Sequence, residues 1–412
     1  MSKSVNVIGA GIVGLSCALW LQREGYRVRV IDPESPGSGT SSGNACTIAE
    51  YGCIPINSPT LFRQLPSLLM RKDSPLALNP VYALKRLDWM LDFLMHCRRK
   101  PVEHAIHQLG DLLQHAWSGL EPLLKSTSTE DLIKDRGFMH VYVNQKEFDD
   151  AWPSNQLRAK HGSKIRPLAE SEIYELEPNL KPIFKRGMYF DGIRQVLDPL
   201  ELCQRYSICL GENGAEFVCD RVQSVNEKDD GVELVLSSGK SIRSDCTIVA
   251  AGAFSKFING LGKAADKLDT ERGYHVLYRG YEAMLSRPVS WHTGGFYAVP
   301  MKQGMRLSGT VEIAGYSPRE NPERIANLAN KAHAMLGLPT TPDATWLGFR
   351  PTFPDALPAI GYLNRSSRVI AAFGHHHVGL TLSGITGKLV AELVGRRPLS
   401  HDISAFSPGR FG

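Results

Sequence analysis

The run VNVIGAGIVGLSCALWLQREGYRVRVID, residues 5–32, constrains this chain more than any other feature. A buried strand carrying Val5, Val7 and Ile8 leads into G-A-G-I-V-G. An apolar helix follows and ends near Gly25, and a second strand alternates Tyr26, Val28 and Val30. In this setting Gly9 allows the tight turn, Gly11 lets a pyrophosphate approach the backbone, and Gly14 brings helix and strand close. The amides that open the helix, at Ile12 and Val13, would face the phosphate charge. Asp32 lies 18 residues beyond Gly14, the right distance for a ribose hydroxyl. A glycine-rich turn can be only a turn, but here strand, helix and acid agree on dinucleotide binding. The acid argues against a 2′-phosphate, and so against NADP.

The next segment, PESPGSGTSSGNACTIA, is rich in Gly and Ser where an NAD domain would enter its next helix. It can wrap a longer cofactor with the Ser41 and Ser42 hydroxyls and backbone donors at Asn44 and Ala45. By composition a flexible loop is an equal reading.

At 412 residues the chain can form two domains with a substantial buried core. A formal net charge of +5, with both signs spread along the chain, gives no argument for nucleic acid. The eight cysteines, at positions 17, 46, 53, 97, 203, 209, 219 and 246, form no C-x-x-C pair, which removes the usual zinc and dithiol signatures. MSKSVNVIGAG runs straight into the first strand with no cleavable signal segment. No apolar run approaches the roughly 20 residues of a membrane span. Free thiols without an export signal predict a cytoplasmic protein.

Residues 61–125 read as helices: LFRQLPSLLM, then YALKRLDWMLDFLMHCRRK, then AIHQLGDLLQHAWSGLEPLL. Trp89, Leu91, Phe93 and Leu94, with Arg98, Arg99 and Lys100 beyond them, fit two readings. One is peripheral contact at the inner membrane; the other, favoured on its pattern, is a helix packed on its own protein with a solvated basic end. From residue 136 short alternating strands take over in GFMHVYV, RGMYFDG, AEFVCDRVQSV and GVELVLSSGKSI. SDCTIVAAGAFS is a buried strand ending in a small-residue turn at Ala251 and Gly252, suited to the carboxyl edge of the first sheet. YHVLYRG, GFYAVPM and MRLSGTVEIAG continue the strands before a helix, ENPERIANLANKAHAML. The chain ends with the strand RVIAAFG and the helix GLTLSGITGKLVAELVG. The nucleotide domain is therefore expected in pieces, residues 1–60, 195–255 and 345–412. A strand-and-helix domain of residues 61–194 and 256–344 is inserted between them.

Four pieces taken together resemble one family: GAGIVG with Asp32, TSSGNACTIA, TIVAAGAFS, and GFRPTFPDALPAIG followed by GHHHVGLTLSG. They are similar to the FAD-dependent amine and amino-acid oxidoreductases of the D-amino-acid oxidase superfamily. The likeness is greatest to bacterial D-amino-acid dehydrogenases, including those acting on cyclic imino acids such as D-hydroxyproline. It covers nearly the whole chain. It implies an α/β protein with a Rossmann-type FAD-binding domain and an inserted α+β substrate domain, as in D-amino-acid oxidase and glutathione reductase. It also implies oxidation of a C–N bond to an imine that water hydrolyses. The electrons would pass to a quinone, a carrier or O₂, the last in an amine oxidase of glycine, sarcosine or opine type. From another class, a non-catalytic FAD-binding partner protein stays open. The missing C-x-x-C excludes a flavin-linked disulfide reductase, and the missing second G-x-G-x-x-G argues against a two-nucleotide monooxygenase. GFRPTFPD lacks the cysteine on which sarcosine-oxidase relatives attach their flavin, so noncovalent FAD is expected.

Such chemistry requires the donor carbon within about 3–3.5 Å of its acceptor. It also requires a neutral amine and a cation for the substrate carboxylate. The resemblance places Arg350 of GFRP beside the flavin; the alternative is a structural arginine paired with Asp355 or an inter-domain carboxylate. Arg272 and Tyr274 of ERGYHVLY are further candidates to hold the carboxylate, although a Tyr in an alternating strand is more often core. His292 and Tyr297 are weaker candidates. Glycine-oxidase-like relatives carry a carboxylate-binding Arg after the Pro of a strand like GFYAVPM, where this chain has Met301.

FGHHHVGLTLSG follows a strand and opens a helix, at the sheet edge where ligands bind. Adjacent side chains diverge, so His375, His376 and His377 cannot all reach one metal, and none is expected. The backbone amides around Val378, Gly379 and Leu380 would stabilise negative charge on the reduced flavin. In similar dehydrogenases a Gly-His pair stands at Gly374 and His375, so these belong with the cofactor and His376 or His377 with the substrate.

Overall fold

The computed structural model describes residues 3–59, 74, 76–363 and 367–412; the expected helix over residues 61–70 lies outside them. The strand Ser4–Ile8 is buried on both faces, which is why it reads as a near-continuous apolar run. It pairs in parallel with Arg27–Ile31 on one side and Cys246–Val249 on the other, Ile8 lying beside both Ile31 and Val249. That register brings Gly9, Asp32 and Ala250 to one edge of the sheet. Val369–Phe373 adds in parallel beyond Cys246–Val249, with Ala371 beside Val249, so the histidine triplet emerges at the same edge. Glu216–Val218 and the antiparallel Ala359–Tyr362 close the two sides of this six-stranded sheet.

The helices Ile12–Arg23 and Gly379–Val394 cross on one face of the sheet, with Ala116–Ser126 packed against the second. Small residues set these distances. A Cβ on Gly384 would lie 2.4 Å from the Leu120 nitrogen, and one on Gly387 would lie 2.6 Å from the Ser16 carbonyl oxygen. The backbones touch, and no side chain fits between them.

A nine-stranded sheet forms the second layer. Its face toward the cofactor sheet is built by Asp269–Tyr278, between Ala344–Thr352 and Gly304–Ile313, with Phe296–Met301 next. Tyr274, Val276, Phe296, Leu307 and the helix Pro322–Leu336 make its own core. Three-stranded antiparallel sheets of Val222–Lys228, Gly231–Leu236 and Ser241–Ser244, and of Thr47–Ile48, Arg194–Val196 and Ile133–Asp135, complete the strands among the described residues.

Two segments lie apart from the body assigned to them above. Ala344–Thr352, grouped with the cofactor sheet, pairs instead along its length with Asp269–Tyr278. The helices Arg99–Gln114 and Ala116–Ser126, grouped with the inserted domain, bury Val102, Leu109, Leu113, Leu120 and Leu123 in the core of the cofactor sheet. Both follow from where apolar faces find partners, which chain order does not reveal. Trp89 and Phe93 stack at 5.4 Å inside the protein, and Trp89 Nε1 donates to the Lys267 carbonyl at 3.0 Å, so these two rings pack on their own protein. Among the described residues no helix is long and apolar enough to cross a membrane.

Candidate active site

The carboxyl edge of the parallel sheet opens into a cavity of about 940 Å³ that runs from Gly9 and Asp32 to the start of the Gly379 helix. Gly9 turns at φ +108°, and a Cβ there would lie 2.4 Å from the Ala250 carbonyl oxygen. A Cβ on Gly14 would lie 2.0 Å from the Gly9 carbonyl, so Gly14 packs the turn and does not line the cavity. Gly11, Ile12 and Val13 do line it. The Asp32 carboxylate accepts from the amides of Ala10 at 2.7 Å and Glu34 at 2.9 Å. Burial raises its pKa and those two donors oppose the rise. Each of its oxygens keeps a second lone pair for a ligand hydroxyl.

The loop of residues 40–46 forms one wall. Ser41 Oγ accepts from the Ile12 amide at 2.9 Å, tying the loop to the helix start. Asn44 spends its side chain inside the loop, on the Ser41 carbonyl and the Cys46 amide, both at 2.7 Å. The Ser42 hydroxyl donates to the Gly39 carbonyl at 2.9 Å and does not reach the cavity. The second sheet grips this loop from behind. Arg306 Nη1 donates to the carbonyls of Ser42 at 2.8 Å and Asn44 at 3.1 Å, His275 Nδ1 lies 3.4 Å from the Gly43 carbonyl, and Trp346 stacks on His275. A Cβ on Gly43 would stand 2.3 Å from the Trp346 ring, so the indole lies flat on the backbone there. Ala45, Ala251 and Gly252 also line the cavity.

The three histidines point three ways. His375 Nε2 bonds the Thr386 hydroxyl at 3.0 Å. His376, at φ +48°, accepts from the Phe353 amide at 3.2 Å, while its own amide donates to the Pro351 carbonyl at 2.9 Å. His377 projects into the cavity toward Arg350. Burial lowers the pKa of His375 and His376 to about 3; His377 is exposed on the cavity side, where partial desolvation and the Arg350 charge also lower its pKa, so all three are neutral at pH 7. Gly374, at φ +83°, faces the Phe353 ring 2.1 Å from where a Cβ would be, and does not line the cavity. The Val378 amide is spent on the His375 carbonyl at 3.0 Å, and its side chain is buried in the core. Gly379 and Leu380 are therefore the residues of this helix start that face the cavity, and their amides lack partners within the helix.

Arg221 lines the cavity beside Val222 and Gln223, and Arg350 is the cation at its histidine end. Its guanidinium lies over Gly273, and Nη1 donates to the Thr310 carbonyl at 3.0 Å. Thr310 sits at φ +60° in the bulge between Asp269–Tyr278 and Gly304–Ile313, so an unusual backbone turns that carbonyl toward the arginine. No carboxylate comes within ion-pair distance of Arg350 among the described residues; Asp355, the partner considered above, is bound to Arg410 at 2.6 Å. Tyr51 and Tyr297 line the same cavity, and the Tyr51 hydroxyl lies 3.5 Å from the Thr47 hydroxyl. The Phe138 ring stacks against both, at 4.7 and 5.6 Å.

A family model described as FAD dependent oxidoreductase matches residues 4–393. The chain belongs to this family of FAD-dependent oxidoreductases. A D-amino-acid oxidase of Bradyrhizobium diazoefficiens is 32% identical over 99% of both chains. A D-amino acid dehydrogenase of Helicobacter pylori is 26% identical, again over 99% of both. Glycine oxidase from Geobacillus kaustophilus shares the fold, with a TM-score of 0.73 at 22% identity over 98% of both chains.

The enzyme's cavity fits FAD on its own evidence. Gly11 lines the cavity where a Cβ would crowd the Ser41 hydroxyl at 3.2 Å, Asp32 retains acceptor capacity, and two helix starts face one continuous space. Gly9, Gly11, Ile12, Val13, Asp32, Ser41, Asn44, Ala45, Ala251, Gly252, His375, Gly379 and Leu380 stand together around it. Gly14, Ser42, Gly374 and Val378 support it from outside.

Of the substrate candidates, Arg350, His376 and His377 line the cavity. Arg272 and Tyr274 do not. Both point to the far face of their strand, where Glu312 Oε2 binds Arg272 at 3.1 Å and accepts from the Tyr274 hydroxyl at 2.5 Å. The cavity face of that strand carries Gly273, with Glu271 and His275 two residues to either side. His292 packs edge-on to His140 behind Tyr297, at 5.0 Å. Met301 meets the Cys46 sulfur at 3.5 Å beneath the loop. Sequence reading missed Tyr51, Arg306, Trp346 and Thr310. Trp346 had one available signal, because a large ring beside the loop glycine explains why position 43 carries no side chain.

Proposed function

We propose that this flavoenzyme oxidises the Cα–N bond of a D-amino acid or cyclic imino acid and hands the electrons to a quinone or carrier acceptor. The carrying observation is Arg350, a cavity-lining cation with no carboxylate within ion-pair distance among the described residues. The names of two relatives alike over their whole length support a D-amino substrate. FAD, when bound, supplies the acceptor for the hydride that leaves the α-carbon.

Arg350 would hold the substrate carboxylate and so fix which face of the α-carbon is presented. Tyr51 and Tyr297, their pKa values raised by burial, stay protonated and can donate. His377, its pKa lowered by partial desolvation and by the Arg350 charge, can accept a hydrogen bond from the amine, whose lone pair must be free. The Gly379 helix start would stabilise the negative charge gained on reduction. Water then adds to the imine and releases ammonia, or opens the ring of a cyclic product.

Contact with a membrane surface, where lipid-soluble quinones reside, is part of this reading. Leu84, Leu87, Leu91 and Met95 are more than half exposed along two consecutive helices, beside Lys85, Arg98 and Lys100. The test is anaerobic bleaching of the yellow enzyme by a panel of D- and L-amino acids, D-hydroxyproline, sarcosine and opines, with dye and O₂ as parallel acceptors. Bleaching by D- or imino acids with slow reoxidation by O₂ is expected; no bleaching by any amine would overturn the proposal.

A further inference from the structure

A second titratable group stands behind the cavity cation. Glu271 lies directly across the antiparallel pair from Arg350, so both side chains rise on the same face, the guanidinium reaching over Gly273 two residues along from Glu271. Glu271 is 1% exposed and does not line the cavity. Its Oε2 has no hydrogen-bond partner, and no cation comes within ion-pair distance among the described residues. A buried carboxylate without donors is costly when ionised. Arg350 cannot relieve it by turning inward, because its Nη1 is held on the Thr310 carbonyl.

Among the described residues the other charged groups nearby are already engaged. On the same strand Asp269 binds Tyr82 at 2.6 Å and also Arg86. From Gly304–Ile313, Glu312 is bound to Arg272 and Tyr274. From the segment Gly252–Phe257, Lys256 donates to the Leu268 carbonyl at 2.6 Å. His377 approaches Arg350 from the cavity side and is neutral. Among the described residues Arg350 is thus the one charge whose field Glu271 and a cavity anion would share.

We propose that Glu271 is a positioning residue that sets how much of the Arg350 charge is offered to the substrate carboxylate. Protonated, it leaves the whole charge to the substrate; ionised, it competes for that charge and repels the incoming anion. Carboxylate binding and proton uptake by Glu271 are then linked, and each must favour the other by the same factor. Burial pushes the Glu271 pKa up to about 7, against the pull of Arg350, which places the switch in the physiological range. This inference rests on the reading of Arg350 as the carboxylate anchor.

The test uses the FAD-loaded enzyme and propionate, which has a carboxylate, no titrating amine and no oxidisable C–N bond. Propionate affinity is read from the shift in the flavin spectrum across the pH range. In the native enzyme Kd should rise about tenfold as Glu271 ionises, and in Glu271→Gln by less than about twofold. Calorimetry of the native enzyme in buffers of different ionisation enthalpy should show proton uptake on binding near pH 7. That measurement needs no variant to fold. A pH-independent Kd, or the same pH dependence in Glu271→Gln, would overturn the role of Glu271 and leave Arg350 as anchor. If Arg350→Met binds propionate as well as the native enzyme, the anchor itself fails, and the inference with it.

Discussion

Gly273 lies under the guanidinium of Arg350: a Cβ added there would stand 2.3 Å from both the guanidinium carbon and one terminal nitrogen. A glycine inside a buried strand is a cost in chain entropy and lost packing. Here the missing side chain is what lets the arginine lie flat, reach the Thr310 carbonyl and present its remaining nitrogens to the cavity.

Gly273→Ala should therefore act on the substrate and not on the fold. Elsewhere in a strand this change would stabilise by about 0.5–1 kcal/mol. At this position it displaces Arg350, and a misplacement of about 1 Å is expected to lower kcat/KM by about 10²-fold. FAD content and the unfolding midpoint should stay near native. Steady-state kinetics with the substrate found by bleaching decide it; native kcat/KM would show that Arg350 does not depend on the glycine.

Arg350→Met should lower kcat/KM by about 30-fold or more, the 2–5 kcal/mol of a lost charge-assisted contact. Arg350→Lys should recover part of this, because a point charge keeps attraction and loses the planar fork. Both should retain FAD, since Arg350 belongs to the second sheet. Loss of FAD from either would place the arginine in cofactor binding instead.

The sequence revealed best what depends on neighbours in the chain. The glycine turn, Asp32 and the Gly379 helix start are local motifs, and the parallel registers at Ile8 and Val249 bring them together. Arg272 and Tyr274 were misjudged because a strand shows alternation without saying which face is inside. In Asp269–Tyr278 every residue is buried, so no polar face marks the outside. The bulge at Thr310 shifts the pairing again, and only the assembled sheet reveals it. Arg306 and Trp346 act on the loop of residues 40–46 from about 260 and 300 positions away, a proximity that no periodicity encodes.

That grip predicts a cofactor phenotype for a residue remote from the glycine motif. Arg306→Met removes two hydrogen bonds to the loop carbonyls of Ser42 and Asn44. Bonds to a charged donor are each worth about 1.5–3 kcal/mol, so the loop should loosen and FAD Kd rise at least tenfold. FAD released on desalting, followed by its fluorescence, measures this. Native retention would mean that Trp346 and the Thr40 hydroxyl, bound to the Phe349 carbonyl at 2.9 Å, hold the loop without it.

The histidine segment predicts how the fold responds to acid. His375 and His376, both buried, have native pKa values of about 3, below the ordinary 6.5. Between these values and 6.5 the unfolded chain binds more protons than the folded one. Their contribution to stability is therefore complete above about pH 6.5 and is lost as pH falls through that window. Each group can remove up to about 1.4 kcal/mol per pH unit. His275 and His292, lowered to about 3 and 4 by burial, act in the same direction. Urea unfolding between about pH 5 and 6.5 should show stability falling steadily with acid. His376→Gln keeps an acceptor for the Phe353 amide and cannot take up the proton, so its slope should be shallower by one proton. Parallel slopes for the two proteins would mean that His376 does not stay neutral in the native state.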